Sequence, residues 1–495
     1  MRFSLADTRD AAVTLVSMLL SFGSVLVLQQ AFGLDDGLLV LSVALSMTLS
    51  RTNAGRSTRE QLFGLVIVPV VALAAFGVGA LLLDLPIAGS VLFIVAVSGA
   101  IWLRRFGPLT SRIGTFIAPP FIAVLITPAP AMPSGHGAFL PWAAVVAIIA
   151  AGWSLLTRLL AQCTGLLSPT RLASPAPLAS PAREVRPRAP GERRLAPSTR
   201  MAIQLAAALA AAFLIGHLLL GQHWPWVVIT AYVVTSGNRG RGDVVYKGVM
   251  RTVGALVGTA AATLLAGLFP PGDAVAIVGV FVALAIGLAL RAINYSFWAA
   301  SVTAALALLY GYFGEGGEQL LLNRIVGVLI GGVLAVVCAW FILPIRTRDV
   351  LRRRMFDSLA ALNDVLGTAR TDPERLPDEA ARFRASLAAI DQLVPTLRAA
   401  DVILRLRRVE QRHGHVVTAL KRCAAPVETL AGVAPAELAE ASKRIGQLSR
   451  RVGSLRRALA AHTDPEWAEE SIAFGDTLAD AALRDIDRVI VGWAT

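Results

Sequence analysis

Residues 224–258, "WPWVVITAYVVTSGNRGRGDVVYKGVMRTVGALVG", and residues 297–331, "FWAASVTAALALLYGYFGEGGEQLLLNRIVGVLIG", align without a gap at an offset of 73 positions. The offset sets Thr230 on Thr303, Arg251 on Arg324, Gly254 on Gly327 and Gly258 on Gly331. Each copy begins as an aromatic-rich apolar segment, crosses a loop and ends in a helix reading R-x-x-G-x-x-x-G. Each apolar segment of the second copy lies three segments after its counterpart in the first, an odd offset. In a membrane the copies would therefore run in opposite directions, the pattern of a 3+3 inverted repeat.

The surrounding chain supplies that membrane. Of 495 residues, 55% are hydrophobic and 16% charged, against about 25% charged in ordinary soluble domains. The apolar residues fall in long blocks: 24 uncharged residues separate Asp10 from Asp35, and 23 separate Glu60 from Asp84. About 20 apolar residues span a bilayer as a helix. Twelve spans are expected, at 11–33, 37–50, 61–83, 86–103, 113–127, 138–160, 201–220, 224–237, 246–268, 274–291, 294–312 and 321–344. The first is too long an apolar run for a cleaved signal peptide. Cys163, Cys338 and Cys423 have neither pairing nor metal spacing, so no disulfide, metal or cofactor is expected.

Loop charge orients the helices. Arg51, Arg56 and Arg59, then Arg104, Arg105 and Arg112, then Arg239, Arg241 and Lys247, and Arg291 fall on alternate loops. The opposite loops carry Asp35, Asp36, Asp84, Asp273, Glu315 and Glu318. Basic loops stay in the cytoplasm, which puts both termini inside an inner or plasma membrane. The net charge of +13 is mostly these loops: residues 346–495 hold 24 Lys and Arg against 21 Asp and Glu. No nucleic acid partner is implied.

Four segments follow. Residues 1–163 and 201–345 are six-helix membrane halves, and 164–200 is a Pro/Ala/Arg-rich linker with seven arginines and two glutamates. Residues 346–495 form a cytoplasmic helical bundle. There Leu351, Met355, Leu359, Leu362 and Leu366 share one helical face. Further helices are expected near 376–392, 396–424, 436–461 and 466–492. The fold class is thus all-α and polytopic, with about twelve transmembrane helices in two halves plus a C-terminal bundle. No phosphate-binding loop, dinucleotide motif, nucleophile motif or metal cluster is present, so no enzyme and no catalytic residue is expected. "RLRRVEQRHGH" (405–415) reads as a solvated face.

The halves also resemble each other. "TNAGRSTREQLFG" (52–64) takes the place of "GNRGRGDVVYKGV" (237–249), pairing Asn53 with Asn238, Gly55 with Gly240 and Arg56 with Arg241. Val66 and Pro69 then stand where the second half has Arg251 and Gly254. The second span of each half is short, which in duplicated transporters points to the transport site.

On α-helical spacing, Lys247, Arg251, Gly254 and Gly258 share a stripe. Glycines let another helix approach closely, so Arg251 should face the bundle. Arg324, Gly327 and Gly331 repeat this from the other membrane face. Two arginines at opposite mouths of one interior path would suit an anion. The pathway set is Arg251, Arg324, Lys247, Arg241, Asn238, Thr230 and Thr303, with Gly254, Gly258, Gly327 and Gly331 as packing positions. The competing reading has both arginines snorkelling to headgroups, with Glu318 as partner of Arg324. His217 and His223 read as packing residues, His136 as a loop residue, and Trp224 and Trp226 as an interfacial belt.

"WPWVVITAYVV" followed by "KGVMRTVGALVGT" resembles the fusaric acid resistance-like (FUSC) family, also called the aromatic acid exporter family. That family's pattern is an aromatic short helix, a basic loop and R-x-x-G-T-x-x-G. The aluminium-activated malate transporters are similar, with K-G-x-x-R-x-x-G-T. Lys247, Gly248, Arg251 and Gly254 match that run, and Ala255 stands where the families have Thr. The resemblance implies gradient-driven export of organic anions such as aromatic carboxylates. A passive organic-anion channel and a non-transporting envelope scaffold are the alternatives. The expected partners are the anion and the bilayer, with a homodimer or a periplasmic adaptor protein as candidate assembly.

Overall fold

The computed structural model describes residues 5–34, 36–53, 58–126, 136–167, 195–265, 270–291, 293–314, 318–396, 411–461 and 472–492. It divides into one compact unit that ends at Pro344 and a second that runs from Ile345. No strand occurs among the described residues.

Among the described residues, twelve α-helices build the first unit: α1 (Leu5–Phe32), α2 (Gly37–Thr52), α3 (Thr58–Asp84), α4 (Pro86–Trp102), α5 (Pro108–Ile126), α6 (His136–Cys163), α7 (Pro197–Leu220), α8 (Pro225–Thr235), α9 (Arg241–Leu265), α10 (Ala274–Leu290), α11 (Tyr295–Tyr312) and α12 (Glu318–Phe341). Their starts follow from local chemistry. Pro86, Pro197 and Pro225 occupy the first turn, where the missing N–H is not needed. Asp273 Oδ1 accepts the Val275 N–H at 2.9 Å and Asn294 Oδ1 the Ser296 N–H at 3.1 Å, capping α10 and α11.

Among the described residues, six helical segments are long and apolar enough to cross a membrane: Thr8–Phe32, Gln61–Asp84, Pro86–Phe106, Pro141–Cys163, Pro197–His223 and Leu322–Phe341. Gly37–Thr52, Ile113–Ile126, Pro225–Thr235 and Ala274–Leu290 are apolar but shorter. The chain is a multi-pass helical membrane protein. α9 and α11 belong to neither group, and these two carry much of the site.

Packing repeats between α1–α6 and α7–α12. In each set the first helix packs on the second and sixth, the third on the fifth and sixth, the second on the sixth and the fourth on the fifth. Across the sets, α4 lies on α7 and α1 on α10. The fourth helix of each set therefore meets the first of the other, as a two-fold relation requires.

The structure moves three expected positions. α9 starts at Arg241 rather than near 246. Gly237 (φ 59°) and Gly240 (φ 125°) turn the chain within a few residues, and Asp243 Oδ2 accepts the Arg239 N–H at 3.1 Å. Arg251 thus sits ten residues into its helix, about 15 Å along the axis. Val66 is exposed, so it cannot occupy the buried register of Arg251. The buried stripe of α3 runs through Gln61, Gly64, Val68 and Ala72, and the Phe116 ring covers Gly64. Trp226 is buried rather than interfacial.

In the second unit, Leu351, Met355, Leu359, Leu362 and Leu366 of α13 (Thr347–Thr371) are all buried in one apolar core. Leu376–Asp391, Gln411–Arg422, Ala424–Ala431, Pro435–Glu440, Ser442–Ala461 and Leu478–Val491 are also helical. The last begins twelve residues later than expected. Thr477 accepts the Asp480 N–H at 3.2 Å, and buried Asp480 pairs with Arg444 at 2.6 Å, which fixes the start. The 168–194 part of the linker and residues 397–410 lie outside the described residues, as do the side chains of Arg56, Arg59, Arg112, His136 and Glu318.

The three cysteines test this arrangement. Cys163 is exposed, whereas Cys338 and Cys423 are buried. Burial also pushes the Cys423 thiol up to about 12. Maleimide at pH 7 is expected to label one thiol per native chain, lost in Cys163→Ser, and all three after denaturation. Mass spectrometry of the adducts reads the outcome; a native adduct on Cys423 would contradict the buried core.

Candidate functional site

The site is built where α9 lies on α11 and α12 lies on α8. A methyl group on Gly254 would come within 2.5 Å of Ala299 Cβ and 2.7 Å of the Ser296 carbonyl oxygen. On Gly258 it would meet the Ala300 carbonyl oxygen at 2.3 Å and Thr303 Cβ at 2.7 Å. In the other pair, Gly327 meets Trp226 Cβ at 2.8 Å, and Gly331 meets the Val227 carbonyl oxygen at 2.5 Å and Thr230 Cβ at 2.9 Å. The 73-residue offset carries Ala299 to Trp226, Ala300 to Val227 and Thr303 to Thr230. The repeat in the sequence is therefore a repeat of contacts. Backbones this close admit only hydrogen at the four glycines.

This packing puts Arg251 and Arg324 inside the first unit, 4% and 2% exposed. They do not stand at separate mouths, because each lies within electrostatic range of the other. Arg251 faces the hydroxyl of Tyr295, and Arg324 lies 4.4 Å over the Trp226 ring with Tyr310 in range. Trp226 in turn leans on Tyr310, with ring centroids 5.3 Å apart. Arg251 Nε and Arg324 Nη2 are buried without a hydrogen-bond partner. Among the described residues, no carboxylate pairs with either guanidinium.

The other pathway candidates sort differently. Lys247 Nζ pairs with Asp243 at 3.0 Å and donates to the Ser236 and Gly237 carbonyls at 3.3 and 3.4 Å. It caps the end of α8 rather than facing the arginines. Arg241 lies 4.8 Å over the Trp340 ring. Asn238 is buried and donates to Gln204 Oε1 at 3.4 Å. Gln204 donates to the Ile342 and Leu343 carbonyls at 2.8 and 3.1 Å, tying α7 to the end of α12. Thr230 and Thr303 lie buried beneath Gly331 and Gly258. His217 clusters with the Phe213 and Trp224 rings, which also touch each other, and His223 Nδ1 lies 3.4 Å from Asn323 Nδ2.

Tyr295, Tyr310 and Gln204 were not among the sequence candidates. Tyr295 lies two residues before the second repeat copy begins, and Tyr310 aligns with a loop residue, Gly237, so periodicity flags neither.

Residues 207–338 match the family model described as fusaric acid resistance protein-like. The match runs from the middle of α7 to near the end of α12 and contains both glycine-packed helix pairs. Over that segment the chain is similar to the family, and the match together with the apolar helices points to a membrane protein of the transporter or resistance type. No curated protein matches the chain.

Adjacent glycines give an internal control for the packing. Gly331→Ala and Gly258→Ala should each cost about 1–3 kcal/mol through overpacking. Gly332 has open space around it, so Gly332→Ala should leave thermal stability unchanged or slightly raised. Size-exclusion recovery after a heating series measures the difference; equal behaviour of Gly331→Ala and Gly332→Ala would contradict the close contact.

Proposed function

We propose that the protein is a gradient-driven exporter of organic anions, aromatic carboxylates or similar weak acids, with Arg251 and Arg324 on the path. One observation carries this reading: two buried guanidiniums lie within electrostatic range of each other, and neither has a carboxylate partner among the described residues. Taking an ion out of water costs several kcal/mol. A desolvated cation–π contact such as that of Arg324 with Trp226 returns only about 2 kcal/mol. Among the described residues no ring lies beneath Arg251, and mutual repulsion adds to the deficit. An anion between the two would relieve both.

In this reading all twelve helices span the membrane, as two six-helix halves joined by the 164–200 linker. The basic loops and both termini face the cytoplasm, and residues 346–495 form a cytoplasmic bundle that regulates or scaffolds. An inside-negative potential drives an anion outward by about 2.3 kcal/mol per charge per 100 mV. No enzymatic activity belongs to this reading.

Fusing a reporter that is active only in the periplasm at Thr495 should give no signal; strong activity there would reverse the topology. The path itself is tested by flux of radiolabelled benzoate in proteoliposomes. Arg251→Gln and Arg324→Gln should each lower flux per molecule at least tenfold at normal membrane abundance. Lysine at either position should recover part of it, since the charge returns without the planar fork. Full flux per molecule in both glutamine variants would eliminate the path.

A further inference from the structure

A second feature lies between the halves. Residues from α1, α2 and the end of α5 face residues from α10 and α11 across a crevice of about 110 Å³ that is partly open to the surroundings. Its walls include Phe22, Met47, Phe281, Val302, Leu306 and Phe313, and every lining residue except Asp36 and Tyr312 is apolar. Aromatic rings meet edge-on within it, Phe22 with Phe281 at 5.2 Å and Tyr312 with Phe313 at 5.3 Å.

The two ends of the crevice differ in charge. At one end stands Asp36, whose carboxylate accepts from Gln29. At the other, one helical turn beyond Met47 and Val302, are Arg51 and Trp298, with the guanidinium 4.8 Å over the ring. Trp298 belongs to the same apolar cluster as the crevice walls. Around Arg51, Asp10 pairs with Arg158 at 2.7 Å and with Arg291 at 3.6 Å. Arg51 lies within electrostatic range of both Asp10 and Arg291. Three guanidiniums thus share one carboxylate at this end among the described residues.

An aromatic-walled apolar slot with excess positive charge at one end and a carboxylate at the other fits an amphipathic anion in one direction only. Asp36 and Arg51 are fifteen residues apart along α2, about 22 Å, ample length for an aromatic acid. We propose that the crevice binds the apolar body of a hydrophobic carboxylate, with its carboxylate group at Arg51. This site is distinct from the Arg251–Arg324 pair. Tyr295 joins the two, being within electrostatic range of both Arg51 and Arg251. The transport meaning of the site rests on the exporter reading, whereas binding to it does not.

Equilibrium dialysis of the full chain in phosphatidylcholine nanodiscs, corrected for empty discs, tests binding directly. The probes are 1-naphthoate and its uncharged analogue 1-naphthalenemethanol. Arg51→Gln should weaken naphthoate at least tenfold and leave the alcohol within twofold, while Arg51→Lys keeps most naphthoate binding. Met47→Trp, or Leu306→Trp should the first fail to fold, fills the slot and should abolish saturable binding of both. Arg251→Gln, which removes the exporter path's own anion contact, should leave the uncharged alcohol within twofold and a saturable naphthoate component that adding Arg51→Gln still weakens at least tenfold, which separates this site from the exporter path. Naphthoate binding indifferent to Arg51→Gln and to the filling variants would overturn the proposal. So would loss of naphthoate on Arg251→Gln alone, or displacement of both probes by phosphatidylglycerol, which would assign the slot to a lipid chain.

Discussion

Backbone contact at four glycines is the constraint on which the rest of the site depends. Gly254 and Gly258 let α9 lie against the α11 main chain, and Gly327 and Gly331 let α12 lie against that of α8. These contacts set the rotation of both arginine-bearing helices. Arg251 precedes Gly254 by three residues and Arg324 precedes Gly327 by three, so each arginine is carried onto the same inward stripe one turn away. Side chains at the glycine positions would separate the helices, and the guanidiniums would turn toward lipid or solvent.

The energetics then favour a specific occupant over a merely structural role. A long side chain near a helix end can reach the headgroups at small cost. Arg251 has lost that option, because α9 extends ten residues before it and its guanidinium is buried against Tyr295. Arg324 has spent its reach on the Trp226 face. Two like charges held inside at a cost of a few kcal/mol, with no carboxylate partner among the described residues, are the feature on which the proposed anion path rests.

Much of this was legible in the sequence, for identifiable reasons. The helices follow from charge-free blocks such as 61–83, and the glycine contacts follow from a gapless 73-residue offset, because the offset preserves which residue meets which. What failed was information without periodicity. The start of α9 was hidden because Asp243 and Lys247 look like loop residues until one is seen holding the Arg239 N–H and the other capping α8. Trp226 looked interfacial because it neighbours Trp224, whereas α8 is short and covered by α12. The Asp10–Arg158 pair joins residues 148 positions apart, and no local pattern encodes it.

That pair supplies the sharpest internal comparison. Arg158 on α6, the sixth helix of its half, is buried like Arg324 on α12, the sixth helix of the other. Arg158 is fully engaged: Nη2 holds Asp10 at 2.7 Å and Nε donates to the Ser50 carbonyl at 2.8 Å. The same scaffold thus contains a worked example of how it treats a structural arginine, by giving it a carboxylate and a carbonyl. In the second half α12 carries its arginine without a carboxylate and α9 carries another, and Gly64 under Phe116 lies on the buried stripe of α3, the helix that corresponds to α9. The first half gives its α6 arginine a carboxylate, whereas among the described residues neither Arg251 nor Arg324 of the second half has one. The difference between the two sixth-helix arginines is what the proposed anion path rests on: a structural arginine in this scaffold is given a carboxylate and a carbonyl, as Arg158 is.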